Sequence, residues 1–86
     1  MNERKFVALC RETVVKYVNR WIKNDDEKIT EDDVYIVWLV KALKNSKAMV
    51  STVLNDGMYY EITYNGEKNE LYVDVYKKME QLCITT

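Results

Sequence analysis

Apolar residues return at three- and four-residue intervals along the start of the chain, at Phe6, Leu9, Cys10, Val14, Tyr17, Val18 and Trp21. That spacing lays them on one side of a helix, so it predicts a single long amphipathic helix over Glu3 to Lys23. Val7, Val15 and Ile22 widen the stripe, Glu12 and Lys16 stand one turn apart for pairing, and the helix is expected to stop near Asn24.

An acidic connector, NDDEKITEDD, then separates this pattern from a different one. It has neither the glycine nor the ligand spacing of an EF-hand, so it is read as a solvated connector and no metal site is expected. Thr30 with Asp33 resembles a capping box. The run that follows, VYIVWLV, is mostly β-branched and aromatic and apolar on all sides, which favours one helical turn at most and then a strand.

From Met58 to Tyr76 five tyrosines alternate with β-formers on either side of Asn65-Gly66, a hairpin signal. Three hairpins are therefore expected. A tip at Asn45-Ser46 sets Leu43 opposite Ala48 and Trp38 opposite Val53. A two-residue type I′ turn at Asp56-Gly57 sets Val53 opposite Tyr60, Ser51 opposite Ile62 and Met49 opposite Tyr64. A four-residue loop, Gly66 to Asn69, sets Tyr64 opposite Leu71, Ile62 opposite Val73 and Tyr60 opposite Val75, which keeps these apolar residues on one face. Met79, Leu82 and Cys83 return to helical spacing, so KKMEQLC is expected to form a short terminal helix. The fold class is α+β: a long N-terminal helix packed on a four-stranded antiparallel meander, with a short C-terminal helix, in one domain spanning residues 1–86.

In these registers Val34, Ile36, Trp38, Val40, Ala42, Met49, Val53, Tyr60, Ile62, Tyr64, Leu71, Val73 and Val75 face the helix. The opposite face receives Tyr35, Val37, Leu39, Lys41, Val50, Thr52, Leu54, Tyr59, Glu61, Thr63, Tyr72, Asp74 and Tyr76. So apolar a surface left in water points to an interface, unless the C-terminal helix covers it. The candidate binding residues are Tyr59, Glu61, Tyr72, Asp74, Tyr76, Leu39, Lys41 and Leu54. Glu61 falls opposite Asp74, an unfavourable pairing that Lys41 or a basic group on a partner would compensate.

Composition narrows the chemistry. The 86 residues include no histidine, and 48 % are hydrophobic and 31 % charged, which describes a soluble globular domain with a modest core. No nucleophile or metal set accompanies the two carboxylates, so no catalytic residue and no cofactor is expected. The N-terminus, MNERKF, lacks the apolar segment of a signal peptide, and Val34 to Val40 is too short to span a bilayer, so the expected location is the cytoplasm. Cys10 and Cys83 both fall in apolar patterns and are expected to be reduced, buried thiols. Net charge is −1, with six Lys/Arg in residues 1–23 and six acids in residues 24–33. Nucleic-acid binding through Arg4, Arg11, Lys16, Arg20 and Lys23 is the weakest alternative, because the acidic connector opposes it.

The run VYIVWLVKALKNSKAMVST together with DGMYYEITYNGEKNELYVDVYKK resembles a family of small proteins of unknown function encoded by phages and prophages of Gram-positive bacteria. The resemblance covers roughly Phe6 to Ile84 and brings no functional residues with it. It implies an accessory factor acting on host machinery or host defence. The leading expectation is thus a non-enzymatic interaction protein using the outer sheet face, as a homodimer or on a host protein. The alternative is a module that sequesters a nucleotide-like signal between tyrosines, since aromatic faces stack on bases.

Overall fold

The computed structural model describes all 86 residues. A helix, α1 (Glu3–Asn19), is followed by two short 3-10 turns (Asp25–Glu27 and Glu31–Asp33) and four strands, β1 (Val34–Ala42), β2 (Asn45–Thr52), β3 (Met58–Asn65) and β4 (Glu70–Lys77). The strands form one antiparallel sheet in the order β1-β2-β3-β4. The helix and the meander are as expected. The short C-terminal helix is not seen: residues 78–86 carry no regular structure and lie exposed.

Helix α1 begins where Asn2 caps it, its side-chain oxygen accepting from the Lys5 N–H at 2.8 Å. Phe6, Cys10, Val14 and Val18, four residues apart, are its buried stripe. It ends at Asn19, short of the expected Asn24, because the Asn19 carboxamide turns to the connector. Its Nδ2 donates to the Ile29 carbonyl and its Oδ1 accepts from the Ile29 N–H, both at 2.9 Å. This two-pronged contact brings Ile29 into the core and leaves Trp21, expected on the helical stripe, 73 % exposed. The second 3-10 turn starts at the expected Thr30–Asp33 box, where the Thr30 N–H donates to Asp33 Oδ2 at 2.8 Å.

The β3–β4 register is as expected: Ile62 pairs with Val73, Tyr64 with Leu71 and Tyr60 with Val75. Its loop is the four residues Gly66 to Asn69, with Asn65 Oδ1 accepting from the Glu67 and Lys68 N–H groups. The other two hairpins differ from expectation. The β1–β2 turn is Leu43-Lys44 rather than Asn45-Ser46, so Ala42 pairs with Asn45 and Leu39 with Ala48. Leu43 adopts a positive φ of 56° there, a backbone state uncommon for a bulky non-glycine residue. The β2–β3 connection is the five residues 53–57, not a two-residue turn, and Val50 pairs with Tyr60 and Ala48 with Ile62.

These differences turn β2 over. Ala48 and Val50, at 0 % exposure, lie under the helix, whereas Met49 is on the other face and Val53 is 66 % exposed in the loop. A bulge at Val37, between Ile36 and Trp38, then inverts the second half of β1. Val34 and Ile36 keep their inward orientation, but Trp38 and Val40 emerge on the outer face and Leu39 packs against the core. The core is small: Phe6, Cys10, Val14, Val18, Ile29, Val34, Ala48, Val50, Tyr60 and Ile62. Tyr17 meets Tyr60 edge-on with ring centroids 5.8 Å apart.

Asn19→Ala is expected to lower stability by about 1–3 kcal/mol, the sum of two partly buried hydrogen bonds, read as a fall in the denaturant midpoint at unchanged slope. A loss within a few tenths of a kcal/mol would show that the connector is held by other contacts.

The two cysteines behave differently from one another. Cys10 is buried in the core, as expected, but Cys83 is exposed because the segment that carries it forms no helix. Burial pushes the Cys10 thiol up from 9.0 to about 12; burial, then Asp56 and Tyr17, raises the Tyr60 phenol from 10.0. Below about pH 8 both groups are neutral folded and unfolded, so neither makes stability pH-dependent. Above it the unfolded chain ionises first, and stability falls as pH rises towards about 12. One thiol should react with a chromogenic disulfide reagent in the native protein and two after denaturation, and on the alkaline side thermal midpoints should begin to decline above about pH 8.

Candidate outer-face interface

The outer face is built of cross-strand rows. Trp38, Met49, Glu61 and Asp74 form one, and Val40, Lys47, Thr63 and Tyr72 the next; Tyr59 pairs with Tyr76 beyond. Tyr35, Trp38, Val40, Tyr72 and Tyr76 are each exposed by two-fifths or more. The molecule's shortest extent, 18 Å, accommodates one helix layer and one sheet layer, and no element lies over this side.

Of the residues expected here, Tyr59, Glu61, Tyr72, Asp74 and Tyr76 are brought together, and Tyr35 and Val37 also remain exposed. Leu39, Lys41 and Leu54 are not among them. The bulge at Val37 puts Leu39 and Lys41 on the helix side, where Lys41 Nζ donates to the Met1 carbonyl at 3.0 Å. Leu54, beyond the end of β2, lines a groove of about 320 Å³ on the helix side with Tyr17, Trp21, Ile22, Met58 and Tyr60. Val50 and Thr52 are buried. Trp38, Val40 and Met49, assigned from the sequence to the core, take the vacated places on the outer face. For Trp38 and Val40 the apolar run Val34 to Val40 hid this, because a strand apolar at every position shows no phase; Met49 moved with the changed register of β2.

Glu61 and Asp74 do lie directly opposite one another. The compensating cation is Lys47, not Lys41: its Nζ stands 3.6 Å from Glu61 Oε1, a diagonal contact across β2 and β3. The Glu61 side chain is 18 % exposed and also accepts from the Tyr76 hydroxyl at 3.5 Å. One lysine against two carboxylates leaves the row negative, with Asp74 in no ion pair. The phenols respond to these acids. Tyr76 is raised chiefly by the charge of Glu61, with desolvation and Asp74 adding; Tyr72 is raised chiefly by its 2.8 Å hydrogen bond to Glu70. Both are therefore neutral hydrogen-bond donors at physiological pH rather than bases.

Other chemistry finds less support. No three Cys, Asp or Glu side chains converge to hold a metal ion, and no helix is long and apolar enough to cross a membrane. The basic residues of α1 do not form one stripe: at 100° per residue, Arg4 and Arg11 fall on one side and Lys16 and Arg20 on another. Lys16 is tied to Glu12 at 2.8 Å, Arg11 Nε is buried without a partner, and Lys23 lies beyond the helix end.

A family model, DUF6275, described as a family of unknown function, matches residues 7–86. The chain belongs to this family. No curated protein and no solved structure matches it. The DUF6275 match covers the helix from Val7 onward, all four strands and the whole outer face.

Asp74→Asn removes one of two opposed like charges and is expected to raise stability by a few tenths of a kcal/mol at low salt, the gain shrinking as salt is added. A loss of stability at low salt would mean that Asp74 makes a favourable contact within the monomer.

Proposed function

We propose that this DUF6275 protein is a non-enzymatic interaction protein that holds a partner protein on the outer face of its sheet. The observation that carries this reading is the uncovered row of Trp38, Met49, Glu61 and Asp74 between exposed tyrosines and Val40. Aromatic and methionine side chains around a few polar groups are the composition of an interface centre, and Asp74, in no ion pair, offers an acceptor to a lysine or arginine of the partner. The absence of a histidine or a free nucleophile beside the carboxylates, and the engagement of Glu61 and Glu70 with phenols, favour recognition over acid–base catalysis. Resemblance to small phage and prophage proteins supports a bacterial host as the source of the partner, with the protein acting inside that cell.

Replacing Tyr35 and Trp38 together by serine tests the reading, because both are 40–50 % exposed and lie away from the helix-packed core. The folded protein should melt within a few degrees of wild type. A host protein retained by the immobilised wild type should lose about 2 kcal/mol or more of binding free energy per anchor, a drop of well over tenfold in affinity. Equal retention by the double variant, or loss caused instead by Arg4→Ser on the helix and Arg20→Ser at its C-terminal cap, would place the partner elsewhere.

A further inference from the structure

The two edges of the sheet are not alike. The free side of β1 is interrupted by the bulge at Val37, which breaks the regular run of main-chain donors and acceptors. Strand β4 has no bulge, proline or covering segment; it pairs with β3 without a register shift from Glu70 to Lys77. Its unpaired groups can be identified. The Lys78 N–H donates to the Gly57 carbonyl at 2.7 Å, and successive residues of an antiparallel strand alternate in direction. Tyr72, Asp74 and Tyr76 therefore direct their main-chain groups to β3, whereas Leu71, Val73, Val75 and Lys77 direct theirs outward. The side chains of Leu71, Val73 and Val75 share the helix face, yet the helix sits over β1 and β2, and Val75 remains 38 % exposed.

We infer that β4 pairs antiparallel with β4 of a second copy of this chain, about a two-fold axis at Val73, to make a continuous eight-stranded sheet. This register follows from the sequence of the strand. With Val73 opposite itself, Leu71 faces Val75, Tyr72 faces Asp74, Glu70 faces Tyr76 and Asn69 faces Lys77, so apolar groups meet on one face and phenols meet carboxylates on the other. Each opposed pair is compatible, and Val73 and the Leu71–Val75 pairs present the outward-directed main-chain groups that the ladder needs. Centring the axis on Tyr72 would oppose Glu70 to Asp74, and centring it on Asp74 would oppose that carboxylate to itself, both unfavourable. An axis at Val75 would shorten the overlap and set Val73 against Lys77. The tail of each copy, with exposed Met79, Leu82 and Ile84, leaves β4 beside the partner's β3–β4 loop. The edge pairing stands independently of what the outer face holds, and it joins two such faces into one surface.

Sedimentation or light scattering at micromolar concentration should give twice the 10.3 kDa chain mass. Val75→Pro removes an outward N–H without touching the β3 ladder and should weaken dimerisation at least tenfold, with the far-ultraviolet spectrum retained. Tyr35→Ser with Trp38→Ser should leave the dimer intact, which separates this inference from the function proposed above. If Val75→Pro does not fold, the register is read by cysteine cross-linking in a Cys83→Ser background: Val73→Cys should form an intermolecular disulfide on mild oxidation and Lys77→Cys should not. A monomer at every concentration, a dimer indifferent to Val75→Pro, or cross-linking at Lys77→Cys but not at Val73→Cys would overturn it.

Discussion

One helix of 17 residues is the only cover this sheet has, and most of the molecule follows from that. Its buried stripe, Phe6, Cys10, Val14 and Val18, lies chiefly over β1 and β2, shares a core with Tyr60 and Ile62 of β3, and leaves β4 at its margin. The small residue Ala48 and the slim Val50 lie beneath it at zero exposure. A fully buried aliphatic or phenylalanine side chain contributes about 1.5–3 kcal/mol, so a ten-residue core must be filled with little waste. The Asn19 carboxamide, holding the Ile29 peptide by both its polar groups, brings one more apolar side chain under the helix end. What the helix cannot reach, the whole outer face and the flank of β4, stays available to other molecules.

How much of this could be read from the chain differed by segment, for physical reasons. The β3–β4 hairpin was legible because Tyr60, Ile62 and Tyr64 alternate with more polar residues and meet Leu71, Val73 and Val75 in only one sensible register. The β1–β2 hairpin was not. Val34 to Val40 is apolar at every position, so neither the bulge at Val37 nor the reversal after it leaves a trace in the pattern. Its turn also falls on Leu43-Lys44, with leucine in a conformation that turn statistics give to glycine or asparagine, beside an Asn-Ser pair that advertises itself more strongly. The shift in β2 then carried Met49 out and Val50 in. At the C-terminus the helical spacing is present, but seven residues without a surface to pack on do not offset the cost of helix nucleation.

The candidate site was legible to the extent that it rests on the hairpin whose register was sound. Tyr59, Glu61, Tyr72, Asp74 and Tyr76 come from β3 and β4 and keep their places; Leu39, Lys41 and Leu54 come from segments affected by the bulge and the changed connections and do not. The like-charged pair was visible in sequence, while its counter-ion was not. Lys47 reaches Glu61 only because β2 lies three residues from its expected register against β3.

Gly66 ties the first hairpin of the sheet to the last. Its N–H donates to Asn45 Oδ1 at 3.1 Å, and a β-carbon there would run into the Lys44 carbonyl oxygen. The tip of the first hairpin and the loop of the last are thereby interlocked at one end of the sheet, while the other end carries the five-residue connection and the unstructured tail. Resistance to opening is consequently graded along the strands. Amide protons near the interlocked turns are therefore expected to exchange through larger, more cooperative openings than those at the start of β3 and the end of β4. The sheet behaves as a hand fan pinned at its rivet, able to spread at its rim without coming apart.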